Sequence, residues 1–166
     1  LLEKSVSGSD SLKQVYNEHG QKLVHATRLQ GCDTYLKLDE NSFVDFYPLL
    51  PQQFDLLINS ISSLAKMHGG VGLRSAIRCV EDILINERSN GLSLLEESIG
   101  SLITSADIFD VLETDIVTAT REITLQVDAI GAAHEKNSIV HQVAKTIAIL
   151  QQIEGFPISR ENIAAL

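Results

Sequence analysis

The chain has 166 residues, 44% of them hydrophobic, with thirteen Lys and Arg against twenty-two Asp and Glu for a formal charge of −9. That is enough apolar material for one good core or two small ones, and it excludes a disordered or fibrous chain. The acidic balance and scattered cations exclude a broad footprint on nucleic acid or on a membrane surface.

In chain order, Ser9 or Asp10 is placed to cap a first helix carrying Leu12, Val15, Leu23, Val24 and Leu29, interrupted by Gly20 and ending near Gly31. Tyr35 to Leu38 reads as a short strand, and Asp39-Glu40-Asn41 as a turn or as the cap of a short helix through Phe46. Pro48 ends what precedes it, and Pro51 suits the first turn of a helix with Phe54, Leu57, Ile58, Ile61, Leu64 and Ala65 at helical spacing. A Gly-rich hinge, His68-Gly69-Gly70-Val71-Gly72, leads into a second amphipathic helix with the stripe Leu73, Ala76, Ile77, Val80, Ile83 and Leu84. Asn90-Gly91 stops it. Ser93 and Glu96 have capping-box spacing, which predicts a short helix to about Ile103. Ser105 then caps a long helix striped by Phe109, Leu112, Ile116, Ala119, Ile123, Val127 and Ile130. After a break at 131–137, a helix with Ile139, Val140, Val143, Ala144, Ile147 and Leu150 stops at Gly155. It passes through Pro157 and the cap Ser159 to a new helix at Arg160, the outline of a helix-turn-helix. The fold class expected is all-α, with at most a short strand pair near 35–46. Three regions follow: 1–91, 92–136 and 137–166.

The chain starts Leu1-Leu2-Glu3 without methionine and ends inside an amphipathic pattern, so it reads as a piece of a longer protein. It carries no signal-like segment and no apolar run of membrane-spanning length. Cys32 and Cys79, far apart and outside any C-x-x-C or ligand spacing, read as reduced cytoplasmic thiols, with one disulfide between them as the lesser alternative.

The chemistry-bearing patterns are few. Arg74 and Arg78 lie four apart in the first turns of the second amphipathic helix, where cations oppose the helix dipole and repel each other. A bound anion would relieve both penalties, with hinge N–H groups beside it. The competing reading pairs Arg78 with Asp82 at i,i+4 and leaves Arg74 in solvent. Neither a G-x-x-x-x-G-K-[ST] loop nor G-x-G-x-x-G is present, so the chain is not a complete nucleotide hydrolase. His134-Glu135 begins like H-E-x-x-H, but Ser138 stands at the closing position. Asp107, Asp110, Glu113 and Asp115 cluster where a helix start favours acids. Arg160 and Asn162 would face DNA if the helix-turn-helix read sequence, yet Glu161 stands between them; packing is the expected role.

Five runs are similar to a known family. Tyr47-Pro48-Leu49-Leu50-Pro51-Gln52-Gln53-Phe54-Asp55-Leu56-Leu57, Gly72-Leu73-Arg74-Ser75-Ala76-Ile77 and Val80-Glu81-Asp82-Ile83-Leu84 resemble the region following the nucleotide-binding core in large P-loop ATPases of BREX- and Pgl-type bacterial phage-defence systems. The runs Gly100 to Leu112 and Val143 to Ala164 resemble the helix entry and the winged-helix-like region after it. Gln52-Gln53 departs from the pattern, which has an aromatic residue after the second proline.

The resemblance implies a helical lid that presents an arginine to nucleotide. Arg74 is the first carry-over and Arg78 the second. It implies no catalytic residue and no cofactor in this stretch, with ATP and Mg belonging to the parent. The partners it implies are the P-loop core of the parent chain, and self-association or other defence-system subunits, with no direct nucleic-acid or membrane contact. The alternative is a helical protein-protein interaction module with no nucleotide role.

Overall fold

The computed structural model describes residues 6–68, 73–88 and 91–166. Most of the expected hinge, 69–72, and Asn90 lie outside the described residues, as do the side chains of His68 and Arg74. Among the described residues there are seven α-helices and no strand. These are α1 (Val6–Ala26), α2 (Glu40–Phe46), α3 (Pro51–His68), α4 (Leu73–Ile85), α5 (Ser105–His134), α6 (Ile139–Leu150) and α7 (Arg160–Ala165). The fold is all-α, as the periodicities require. None of these helices is long and apolar enough to cross a membrane.

One main core runs through the three sequence regions. Leu56, Leu57, Ile61 and Leu64 of α3 join Ile108, Phe109, Leu112 and Ile116 of α5 in a buried cluster. It is extended by Ala76, Cys79 and Ile83 of α4 and by Ala148, Ile149 and Leu150 of α6. The α5–α6 hairpin is the most extensive helix pairing. A second, smaller cluster of Leu12, Phe43 and Leu50 fastens α1 and α2 to the start of α3. There the Phe43 ring sits 5.5 Å from Tyr16 and 5.8 Å from Tyr47.

Local chemistry moved several boundaries. Helix α1 continues through Ser9, Asp10 and Gly20 and stops at Ala26. Gly20 makes room for the Tyr16 ring one turn before it, since a Cβ there would stand 2.8 Å from that ring. The stretch Tyr35 to Leu38 is not a strand. Its polar groups turn to α3, where Leu36 N–H donates to Asp55 Oδ2 at 2.6 Å and Asn59 Nδ2 donates to the Tyr35 hydroxyl at 3.2 Å. Asp39 then caps α2, taking the Ser42 N–H at 2.8 Å while Ser42 Oγ accepts the Asp39 N–H.

The Ser93–Glu96 pair does form, with Ser93 N–H and Oγ both bonded to Glu96 Oε2. It nucleates only one 3₁₀ turn, Leu94–Glu96. The helix expected to reach Ile103 fails because Glu97 is already extended and Gly100 has φ 108°, a conformation that leaves the helix. Thr104 caps α5 in place of Ser105, in a capping box with Asp107. The 30-residue α5 bends at Thr120, whose φ −147° and ψ 67° are non-helical. Thr118, Thr120 and Thr124 each bond a carbonyl of the preceding turn there, a known cause of helix bending.

The apolar stripes need correction at Ile139, Val140 and Val143 of α6, which are 72%, 44% and 38% exposed, and on α4 at Ile77. It is 62% exposed, whereas Ala76, Cys79 and Ile83 are buried. Counting Cys79 as a small hydrophobe moves the centre of the α4 core face onto 76, 79 and 83 and puts Ile77 at its edge.

Candidate functional site

On α4 the buried face holds Ala76, Cys79 and Ile83, so Arg78 points to water together with Ile77. The Arg78 side chain is 82% exposed and makes the i,i+4 pair of the competing reading, with Asp82 Oδ2 at 3.8 Å from Nε. At that length and exposure the i,i+4 pair contributes about 0.3–0.5 kcal/mol at most. On the opposite face the Cys79 thiol is pushed up to about 11 by burial, with Asp115 and Asp82 adding to the effect. Cys32 and Cys79 are both free.

A polar cleft of about 380 Å³ opens where the end of α4, the start of α5 and the first half of α6 meet. Two cations organise it, and neither stands out in the sequence. Arg88, just past the end of α4, donates from Nε to Asp107 Oδ1 at 3.3 Å and from Nη1 to Glu97 Oε2 at 3.1 Å. Its Nη2 reaches Asp107 Oδ2 at 3.1 Å and the Leu102 carbonyl at 3.3 Å. Asp107 serves twice, since its Oδ2 also takes the Thr104 N–H at 2.7 Å and closes the α5 cap. One guanidinium thereby ties the loop after α4, the 94–102 segment and the first turn of α5.

Lys145 is the second cation. Its side chain is only 8% exposed, and Nζ lies 2.7 Å and 2.9 Å from the two carboxylate oxygens of Asp110. Burial raises the Asp110 pKa above its ordinary 3.8 even though Lys145 pulls the other way. With Asp82 and Glu87 also on its walls, the cleft balances its two cations internally and offers no free positive group to an anion. Among the described residues no group of three or more His, Cys, Asp or Glu side chains is arranged to hold a metal. The acidic run at the start of α5 is instead divided between Arg88 at Asp107 and Lys145 at Asp110.

The C-terminal helix-turn-helix separates the two residues placed at its reading position. Arg160 is exposed and pairs with Glu161 at 3.2 Å. Asn162 is fully buried; its Oδ1 accepts the Gln30 N–H at 2.7 Å, and its Nδ2 donates to the Gln30 and Pro157 carbonyls at 2.9 Å each. A residue held this way fastens α7 to the loop after α1 and cannot reach a base edge. Gln52 and Gln53 are buried too. Gln53 Oε1 accepts the Leu50 N–H at 2.9 Å and Nε2 donates to the Ile103 carbonyl at 2.8 Å, while Gln52 Nε2 donates to the Thr27 carbonyl at 3.1 Å.

The sequence could not have marked Arg88 by spacing, because its partners lie 9 and 19 residues away. The run beginning His134-Glu135 is the α5–α6 turn, in which Ser138 caps α6 by accepting the His141 N–H.

No family model and no solved structure matches the chain.

Proposed function

We propose that this chain is a non-catalytic element of a P-loop ATPase of the BREX or Pgl phage-defence type, acting in the cytoplasm as a nucleotide-sensing lid and coupling piece. In this reading α4 faces the nucleotide of the P-loop core, and Arg74 and Arg78 supply positive charge to its phosphates. The core supplies the ATP and Mg chemistry. The α5–α6 hairpin, packed against α3 and α4 in one core, carries the lid's displacement toward the C-terminal helices.

One observation supports this above the rest: Arg78 projects from the solvent face of α4 beside exposed Ile77, held by nothing stronger than a 3.8 Å pair with Asp82. An arginine so placed is free to exchange Asp82 for phosphate, a charge-assisted contact of about 1.5–3 kcal/mol. The test is nucleotide affinity and turnover in the parent ATPase carrying Arg74→Ala or Arg78→Ala. At least a tenfold loss in either supports the lid, and normal values for both remove it.

A second reading has its own observation. Ile77 and Ile85 of α4, with Leu92 and Leu95 after it, are all more than 40% exposed, as on a helical protein-protein interaction module. It would leave ATP chemistry in the parent indifferent to both arginines. Association with a partner subunit would instead fall on Ile77→Asp.

A further inference from the structure

The turn between α5 and α6 is held by side chains of α6 itself. Glu135 has φ of 74°, a conformation that such a residue keeps only when its surroundings hold it there, and Asn137 has φ of 62°, in the left-handed region that asparagine accepts. The Asn137 N–H donates to Nδ1 of His141 at 3.0 Å. Its carbonyl accepts from Gln142 Nε2 at 2.9 Å, and its Oδ1 accepts from Lys145 Nζ at 3.4 Å. Because Lys145 also binds Asp110, the turn is buckled to the body of α5.

His141 is enclosed on its other side. The residue is 5% exposed, and its ring lies on Gly131 of α5, where a Cβ would stand 2.9 Å from Nε2. Since Nδ1 accepts a hydrogen bond, the neutral ring carries its proton on Nε2, which is buried and has no partner. A proton added at Nδ1 would turn the acceptor into a donor aimed at the Asn137 N–H. The new cation would also lie beside Lys145, in a site too tight for the ring to turn.

We propose that His141 and Asn137 form a pH-operated latch on the α5–α6 corner, closed while the imidazole is neutral and opened when mild acid protonates it, releasing Asn137 and the first turn of α6. The charged groups around the ring agree in balance. Burial first, then Lys145 and Lys136, lower its affinity for a proton below the ordinary 6.5, while Asp110 and Asp128 of α5 oppose them. The unfolded or released histidine takes up its proton near 6.5 and the latched one only at lower pH. The closed form is therefore fully favoured above pH 6.5 and loses stability as pH falls below it. Asp110 works in the opposite direction, since its raised pKa makes its own protonation favour the folded form. The latch must accordingly be read at its own atoms and not from global stability.

The experiment is an NMR titration of the whole chain from pH 7.5 to 5.0, following the His141 ring and the exchange protection of individual amides, corrected for intrinsic exchange. The expected result is a His141 midpoint below 6.5, with protection at Asn137 and His141 falling at least tenfold as the ring protonates and that at Leu56 and Leu57 unchanged. A midpoint at or above 6.5, or a protonated ring with Asn137 still protected, overturns the latch. In His141→Asn, whose Oδ1 stands where Nδ1 did and keeps an acceptor without a titrating group, protection should be flat across the range. Opening that persists there would assign the effect to another group and would equally overturn it.

Discussion

Arg78 and Arg88 are ten residues apart at the two ends of the same stretch, and they show how little residue type alone says about role. Arg78 stands on the solvent face of α4 with one 3.8 Å partner on its own helix. Arg88 is 21% exposed and makes four hydrogen bonds to three residues outside α4. The first is available to something outside the chain, and the second is committed to holding the loop after α4 against α5. Burial decides between them, because water screens the exposed pair while the enclosed one keeps its interaction.

The largest expected effect breaks the enclosed side. Arg88→Ala takes the guanidinium away from Glu97, Asp107 and the Leu102 carbonyl, and should cost about 2–4 kcal/mol in chemical denaturation, less than a fully buried pair because water reaches part of the site and Asp107 keeps its bond from the Thr104 N–H. A loss under 1 kcal/mol would mean that Arg88 is as loosely engaged as Arg78.

The two faces of α4 give the next contrast. With its thiol pushed up to about 11, Cys79 is ionised to only about one part in a thousand at pH 8, and it is also sterically enclosed. In the native protein at pH 8 a disulfide reagent should modify Cys32 at least tenfold faster than Cys79, and the two rates should converge in denaturant. Equal native rates would show that the α4 core face opens readily.

A smaller loss is expected where a polar side chain serves the core without any charge. Gln53→Ala removes the cap on the Leu50 N–H and the donor to the Ile103 carbonyl, both buried, and should cost about 1–3 kcal/mol by denaturant titration. A change within 0.5 kcal/mol, the order expected of an ordinary surface site, would mean that water replaces both bonds.

These cases show which parts of the molecule were legible in the sequence. The helices α3, α4, α5 and α6 were, because their apolar residues recur at a period that only a helix can bury on one face. The cap at Ser159 was also readable, since a cap is a short-range pattern, while Asp39 stood equally as a turn or a cap. What escaped depends on partners distant in sequence. Tyr35 to Leu38 has strand composition, but its hydrogen bonds go to Asp55 and Asn59. Ser93 and Glu96 make a helix-start signal, and Glu97, pulled to Arg88, ends it after one turn. Asn162 has the position of a reading residue and is consumed by Gln30, 132 residues away. Of the candidate site, the sequence marked the exposed arginine and missed the cleft. Arg88, Lys145 and Asn137 carry no motif, and their roles exist only once α4, α5 and α6 are packed together.

The smallest effect on stability is the most informative about function. Arg78→Ala and Ile77→Ala should each change unfolding free energy by no more than about 0.5 kcal/mol, as substitutions at exposed sites do. For Ile77 this reverses the cost of about 2–5 kcal/mol that its place in the apolar stripe would imply if it were buried. A loss in that range for Ile77→Ala would mean that α4 turns its 77 side to the core, and Arg78 with it would lose its standing as a free cation. If both variants are silent in this chain, the solvent face of α4 is free of internal duty, and any loss either causes in a larger assembly must come from what that face touches there. The lid reading expects Arg78→Ala to weaken nucleotide binding in the parent with Ile77→Ala changing it less. The interaction-module reading expects Ile77 to dominate and nucleotide binding to stay unchanged, so the ratio of the two effects separates phosphate recognition from protein contact on the same helix.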